Sequence, residues 1–210
     1  MRTPLAYYTR RNNRLRELEA ELGVTTEFLD AAAAEATRNS VVTPSSEILD
    51  AAAAEATKLA ARRDLFGLAA FPPPDDGRPI KLHELAMGHD DRFGVYLTIS
   101  TGGFRAKPHD HQTWQLQVAI EGAERHRLYR RTDDRSEPWA KLEEIGQVEL
   151  KPGEAHGLLP EDIHAIEIPE GQPTAHMLVC GTGMHRLEGR LMYNPKNGLA
   201  TPMPPLNRGA

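Results

Sequence analysis

The stretch that decides the fold is GFRAKPHDHQTWQLQVAIEG, residues 103–122. Its central feature is the pair His109 and His111, which follows Pro108 and is separated by one residue. Successive side chains of a β-strand alternate faces, so histidines at i and i+2 project the same way. Two imidazoles on one face are what a metal site inside a β-barrel requires. The segment therefore predicts a metal-binding β protein, and an enzyme.

Outward from this stretch, the chain from Ile80 onward consists of short runs bounded by Gly, Pro and Asp. Such boundaries around β-branched and aromatic residues are typical of strands, and the even spacing of the runs is typical of a sandwich or barrel. The fold class predicted is mainly β, with the metal-binding barrel over residues 80–195. We expect strands at residues 92–100, 113–122, 124–131, 146–152, 164–169 and 175–181.

The N-terminal part of the chain has a different amino-acid composition. Residues 12–63 are rich in Ala, Glu, Leu and Arg, and contain a near-repeat, TTEFLDAAAAEATR at 25–38 and SSEILDAAAAEATK at 45–58. Each copy opens with Thr or Ser as an N-cap, followed by an alanine run of high helix propensity. Residues 1–71 are thus expected to be a helical region packed on the barrel. A Pro- and Gly-rich tail, residues 196–210, is expected to be irregular.

A third metal ligand should come from a later strand that crosses the same interior. His164 follows a turn signal, Pro160-Glu161-Asp162, and starts an alternating apolar run, so its side chain should project inward. His156 is the rival, but it lies among Gly, Glu and Pro, as in a loop. Asp110 points away from the two histidines and is expected to support the strand or a ligand. His126 and His185 are expected to be surface or hydrogen-bonded residues.

Composition limits the class of protein. The chain has 210 residues, 30 acidic and 25 basic, for a formal charge of −5, which gives no basic footprint for nucleic acid. Residues 1–23 have no apolar core of a signal peptide, and no apolar run is long enough to span a membrane. A soluble cytoplasmic protein is expected. The single cysteine, Cys180, excludes an intrachain disulfide framework and a multi-cysteine metal site.

The register of the histidine pair resembles a known motif. Five residues separate Gly103 from His109, and Gly122 lies eleven positions after His111. This matches the first cupin motif, G-x5-H-x-H-x3-E-x6-G, except that Gln115 stands at the glutamate ligand. A neutral carboxamide binds metal weakly, so three neutral histidines should form the site and leave several coordination positions open.

Two segments resemble the cysteine dioxygenase-like thiol dioxygenases, especially the bacterial 3-mercaptopropionate dioxygenase type. They are RFGVYLTISTGGFRAKPHDHQTW, which includes Trp114, and DIHAIEI around His164. The resemblance covers residues 80–195. It implies a small cupin barrel, or jelly roll, and an Fe(II) cofactor on His109, His111 and His164. The implied reaction adds O2 to the sulfur of a small thiol acid and gives a sulfinate.

Departures from the family leave the substrate open. His83 falls where eukaryotic cysteine dioxygenases hold the substrate carboxylate with an arginine, and Leu116 where some members have a cross-linked cysteine. The Ser-x-His-x-Tyr relay is not intact: aligned on the following glycine, its serine falls at His176 and its tyrosine at Cys180. Aligned on the histidine, His176 is kept and the tyrosine is lost. We count His176 and Cys180 as candidate catalytic residues.

The candidate substrate-binding residues are Arg105, Arg190, His83 and Trp114. Arg105 lies four residues before His109, and Arg190 lies near the carboxylate-binding arginine of the 3-mercaptopropionate enzymes. A bidentate arginine suits a thiol acid such as 3-mercaptopropionate or cysteine, and two arginines would suit a diacid such as mercaptosuccinate. A solvated surface position is the open alternative for each arginine. No membrane or nucleic-acid partner is expected, and the sequence gives no oligomeric state.

Two other functions stay open at this point. One is a three-histidine cupin dioxygenase that acts on a non-thiol substrate, which the lost tyrosine and the displaced arginine would suit. The other is a cupin that binds a small ligand or metal without turnover. The complete set of three histidine ligands argues against this second alternative.

Overall fold

The computed structural model describes residues 46–87, 93–135 and 138–203. It contains helices α1 (Ser46–Ala60) and α2 (Arg63–Phe66) and a 3-10 turn at Met184–Arg186, and eleven strands follow the helices. The strands are β1 (Ile80–Met87), β2 (Gly94–Ser100), β3 (Arg105–His109), β4 (Gln115–Glu121), β5 (Glu124–Arg131), β6 (Leu142–Leu150), β7 (Ala155–Leu158), β8 (Ile163–Glu167), β9 (Thr174–Cys180), β10 (Leu191–Tyr193) and β11 (Ala200–Pro202). The predicted mainly β fold with a helix before the strands is confirmed.

The strands form two antiparallel sheets. One has the order β1-β2-β9-β4-β7, and the other has the order β11-β10-β3-β8-β5-β6. We call them the five-stranded and the six-stranded sheet. Residues of both sheets line one central cavity. The glycines that frame the histidine pair, Gly103 and Gly122, both have φ of +71°, a left-handed conformation that glycine adopts without strain. They end β2 and β4 in tight turns.

The main apolar core lies between the helices and the outer face of the five-stranded sheet. Alanines of α1, at positions 52, 56 and 60, pack with Phe66 against that face. Alternation along β4 sends Leu116, Val118 and Ile120 toward the helices. The second copy of the near-repeat is therefore a helix that covers the sheet. The first copy, residues 25–38, lies outside the described residues, as does the rest of residues 1–45.

The structure corrects several sequence-based expectations. His156 lies on β7 and not in a loop, since β7 pairs with β4 opposite Gln117. The C-terminal tail was expected to be irregular, but its residues 200–202 form β11 on β10. Strand β1 was not expected at all. Strands β7 and β11 have four and three residues, too few to show a period, and each forms because the neighbouring strand offers its backbone groups for pairing.

Candidate metal centre

Three histidines converge at one end of the cavity. His109 ends β3, and the ladder register places it opposite His164 on β8. His111 follows two residues later, and the three rings have centroids 4.7–5.0 Å apart. One nitrogen from each ring lies within 4.8 Å of the other two, and all three side chains are buried. A buried group of this composition can hold a metal ion.

His111 reaches this group from outside the strand. The sequence places both histidines of the pair on one strand, but β3 ends at His109 and the chain turns at Gln112, which has φ of +55°. Pro108 has no N–H to give to the ladder, and the β3–β8 pairing is irregular between Ala106 and His109. The expectation of one strand was wrong, although both rings still face the interior.

The histidines are in the protonation state that metal binding requires. Burial lowers the pKa of His109 to about 4, and burial lowers the pKa of His111 and of His164 well below the usual range. All three rings are therefore neutral at pH 7 and have a lone pair to give. Nδ1 of His109 lies 2.9 Å from the carbonyl of Lys107, to which it can only donate, so Nε2 is left for the metal.

Nε2 of His111 lies 2.8 Å from Nε2 of His164. This directs the same atom of each ring to one point, as a shared ion requires. The donor set, three neutral imidazoles with no carboxylate, fits Fe(II) and also Zn(II) or Cu(II). His156 is not in the group: it is half-buried on β7, and its ring centroid lies 5.6 Å from that of His126.

The group opens onto a cavity of about 590 Å³ between the two sheets. Most of its wall is apolar, including Leu82, Leu178 and Met192. Polar side chains also line it, among them Gln115, Gln117, Glu124, His176 and Arg190. A cavity of this size with few convergent polar groups is typical of a small-molecule site.

Arg190 is a buried cation in this wall. Its side chain is 3 % exposed, Nη2 lies 3.9 Å from the sulfur of Met203, and Nε has no hydrogen-bond partner among the described residues. Burial lowers the pKa of Arg190, but a guanidinium stays charged in proteins. Asp110 forms no ion pair with it, and the oxygens of Asp110 accept from Leu191 N–H and Tyr193 O–H. The expected supporting contacts of Asp110 are thus present.

Arg105 occupies a different environment. It also lines the cavity, but its side chain is 77 % exposed and its Nη2 lies 2.9 Å from a carboxylate oxygen of Glu167. The two candidate arginines therefore differ: Arg190 is buried and has no carboxylate partner in the part of the chain that the structure describes, and Arg105 lies at the rim with one.

Sequence reasoning missed the importance of Glu124 and His126. Of the two expected positions for His126, surface or hydrogen-bonded, the structure shows the second: the side chain is fully buried, and its Nδ1 lies 3.0 Å from Nδ1 of His164. Burial would raise the pKa of Glu124, but the neighbouring His176 and His126 hold the pKa of this carboxyl below its usual range. A signal was available, because Glu124 and His126 are two residues apart on a predicted strand and so share a face.

The other predicted site residues lie at varying distances from the cavity. His176 lines it, with Nδ1 2.7 Å from Glu124, although neither ring nitrogen makes a well-aligned hydrogen bond among the described residues. Cys180 is fully buried beside Gln115, whose Nε2 donates to Sγ over 3.4 Å. Burial raises the pKa of Cys180 to about 12, so the group is a thiol at neutral pH.

The structure does not bring His83 or Trp114 to the histidines. His83 lies on β1 next to Leu82, which lines the cavity, and its ring packs edge-on against Phe71 at 5.0 Å. Trp114 belongs to the apolar core beneath the helices. Alternation along a strand places neighbouring residues on opposite faces, which explains the position of His83.

No protein-family model and no curated protein matches this sequence. Among solved structures, the chain is similar to KdgF from Halomonas sp., at 17 % identity and a TM-score of 0.40, over 55 % of this chain and 91 % of that one. It is also similar to a cupin superfamily protein from Desulfitobacterium hafniense, at 17 % identity and a TM-score of 0.39, over 54 % and 85 % of the two chains.

A third similar structure is that of the DMSP lyases RdDddP and RnDddQII, at 15 % identity and a TM-score of 0.39. The match covers 55 % of this chain and spans about half of the lyase, 53 %. These likenesses assign no activity. Among the described residues, no helix is long and apolar enough to cross a membrane.

Proposed function

We propose that the protein is an Fe(II)-dependent cupin thiol dioxygenase that oxidises a small anionic thiol to its sulfinate. The observation that carries this proposal is the pairing of two features in one cavity. Three buried neutral histidines converge beside it, and the guanidinium of Arg190 lies in its wall without a carboxylate partner among the described residues. A buried cation that lacks a partner calls for an anionic ligand.

His109, His111 and His164 would hold the iron. When bound, the iron would supply the redox chemistry by which the sulfur of a thiol reacts with O2. Because the three ligands are neutral, they leave the positive charge of the ion uncompensated, which favours the thiolate over the thiol. The absence of a carboxylate ligand, with Gln115 at that position, thus suits an anionic substrate.

The remaining residues of the wall orient the substrate and exclude water. Arg190 can donate two parallel hydrogen bonds to a carboxylate. The apolar wall near Leu178 and Met192 has room for the short carbon chain of such a substrate. Cys180 does not replace the missing tyrosine of the family relay as a dissociated acid, since its pKa is raised to about 12.

The experiment is oxygen uptake by the iron-loaded protein with 3-mercaptopropionate, cysteine, mercaptosuccinate and cysteamine, the last of which has no carboxylate. We expect uptake with at least one thiol acid and little with cysteamine. Arg190→Ala should raise KM for the thiol acid by about tenfold or more, because a charge-assisted pair contributes more than 1.4 kcal/mol. Arg105→Ala, at the rim, is the control and should change KM less.

No uptake with any thiol would refute the thiol chemistry. The second candidate is a dioxygenase for a non-thiol substrate, which the loss of the relay tyrosine at Cys180 favours. The structure of the product separates the two, since thiol oxidation places both oxygens of O2 on sulfur and leaves the carbon chain intact, whereas ring or C–C cleavage places them on carbon and breaks a carbon–carbon bond.

A further inference from the structure

Glu124 is a buried carboxylate that lies next to two histidines, His126 and His176. It lies on β5, its side chain is 4 % exposed, and it faces the cavity between the sheets. One oxygen lies 2.7 Å from Nδ1 of His176, and the other lies 3.4 Å from Nε2 of His126. Thr174 O–H donates to the first oxygen at 3.4 Å. An ionised carboxylate in an interior is costly unless such partners surround it.

His126 connects this carboxylate to the metal ligand His164. The two rings stack, with centroids 5.1 Å apart and planes at 20°, and their Nδ1 atoms are 3.0 Å apart. Only one of these two nitrogens can carry a hydrogen in that contact if both rings are neutral. Which one carries it determines whether His164 has its lone pair on Nε2 or on Nδ1.

The position of the carboxylate decides the tautomer. An acceptor beside Nε2 of His126 favours a hydrogen there, which leaves Nδ1 of His126 as an acceptor. His164 must then donate from Nδ1, and its Nε2 keeps the lone pair. That Nε2 is the atom that lies 2.8 Å from His111 Nε2, at the metal position. The contact from Glu124 to His126 is long, so it acts through its charge more than through an aligned hydrogen bond.

We propose that Glu124 is a positioning residue that acts through His126 to hold His164 in the tautomer that binds metal at Nε2. This inference rests on the metal site of the proposed function, but not on its thiol substrate or on oxygen chemistry. It explains why a carboxylate and a histidine are both buried on a strand that supplies no ligand. Partners beyond the ligands orient metal-binding histidines in many proteins.

The first test is metal affinity of the purified full chain, measured by competition of a chelator for Zn²⁺. Glu124→Gln keeps the shape and removes the acceptor charge, and an amide can donate to His126 and favour the opposite tautomer. We expect affinity to fall about tenfold to a hundredfold. Glu143→Gln is the matched control: it removes an exposed carboxylate from the same sheet, where it pairs with Arg130, and should leave affinity unchanged.

The second test separates a relay from a general loss of packing. His126→Asn places an amide oxygen near the position of Nδ1 and can still accept from His164, whereas His126→Phe keeps the ring shape and cannot accept. We expect the Phe variant to lose affinity like Glu124→Gln and the Asn variant to keep most of it. In the His126→Phe background, Glu124→Gln should add little, because both changes interrupt one path.

The absorption spectrum of the Co²⁺-loaded protein is the readout that a packing defect alone would not move, since it follows ligand geometry. Unchanged Zn²⁺ affinity in Glu124→Gln, or fully additive losses in the double variant, would overturn the proposal. If Glu124→Gln does not fold, the comparison of His126→Asn with His126→Phe decides by itself. Equal affinities in these two variants would count against the proposed path through His126 to His164. Because no thiol is used, failure here is distinct from failure of the proposed activity.

Discussion

The five-stranded sheet separates two buried layers that have opposite chemistry. Toward the helices it presents Leu116 and Val118, and toward the six-stranded sheet it presents Gln115 and Gln117. Burial does not distinguish the two faces, because Leu116 and Gln115 on neighbouring positions are each 1 % exposed. Burying polar groups costs stability unless they find partners. The outer layer therefore stabilises the fold, and the inner layer carries the site.

The largest expected effect comes from the inner layer. His164→Ala removes one of three converging nitrogens, and a metal site that loses a protein ligand loses its geometry. We expect Zn²⁺ or Fe²⁺ affinity to fall by more than about a hundredfold, beyond the loss for a residue outside the ligand set. Metal content after dialysis is the measurement. His156→Ala is the control, and equal metal loss in both variants would contradict the assignment of His164.

The outer layer should show the reverse pattern. Leu97 is fully buried on β2 and faces the helices, so Leu97→Ala should lower the free energy of unfolding by about 2–5 kcal/mol. Metal affinity of the folded protein should stay within about threefold of the parent, since the cavity lies on the other side of the sheet.

Chemical denaturation with a parallel metal titration measures both quantities. Thr98→Ala, on the cavity face of the same strand, should cost about 1 kcal/mol, because its side chain already borders open space. If Leu97→Ala reduced the free energy of metal binding by more than it reduced the free energy of unfolding, the two layers would not be independent.

Sequence reasoning captured the outer layer and the ligands better than it captured the rest of the inner layer. The spacing of His109 and His111 is local, so their shared direction could be predicted. The contact of His126 with His164 joins residues 38 positions apart, and it exists only because β5 and β8 pair with Leu128 opposite His164. A strand pattern shows which residues share a face, but not which strand will lie beside it.

The same limit explains the substrate residues. His83 was placed by the family resemblance, but one residue of displacement along a strand moves a side chain to the other face. Its ring packs on Phe71, while Ile80 and Leu82 line the cavity. Arg190 could be named from a resemblance, but its burial without a carboxylate partner among the described residues depends on how the chain after the 3-10 turn folds back over the cavity.

As the pH falls, the packing of the inner layer should be destabilised at a higher pH than the packing of the outer layer. The pKa of His109 is about 4 in the folded protein and near 6.5 in an unfolded chain, so the unfolded chain binds more protons between these values. The contribution of His109 to the stability of the metal-free protein is then fully present above pH 6.5 and is lost as the pH falls toward 4. His109 alone contributes on the order of 3 kcal/mol to this loss.

Thermal unfolding of the metal-free protein between pH 7 and pH 4.5 measures this dependence. His164 has a pKa that is also lowered by burial, so His164→Ala should show a shallower slope. A melting temperature that does not change over this interval would mean that the rings are not held neutral by burial.

The smallest effect is expected at Cys180, where the inner layer is locally apolar. Its neighbours there include Tyr96, Leu178 and Leu187, and its sulfur accepts a long contact from Gln115. Because burial raises the pKa of its thiol to about 12, it should resist iodoacetamide at pH 8 in the folded protein and react after denaturation. Cys180→Ala should cost about 1 kcal/mol of stability, the value for a small buried group, and change Zn²⁺ affinity less than threefold. Rapid alkylation of the folded protein, or a large loss of Zn²⁺ affinity, would show that Cys180 belongs to the polar part of the inner layer. The boundary between polar and apolar side chains would then differ from the one that the two faces of β4 indicate.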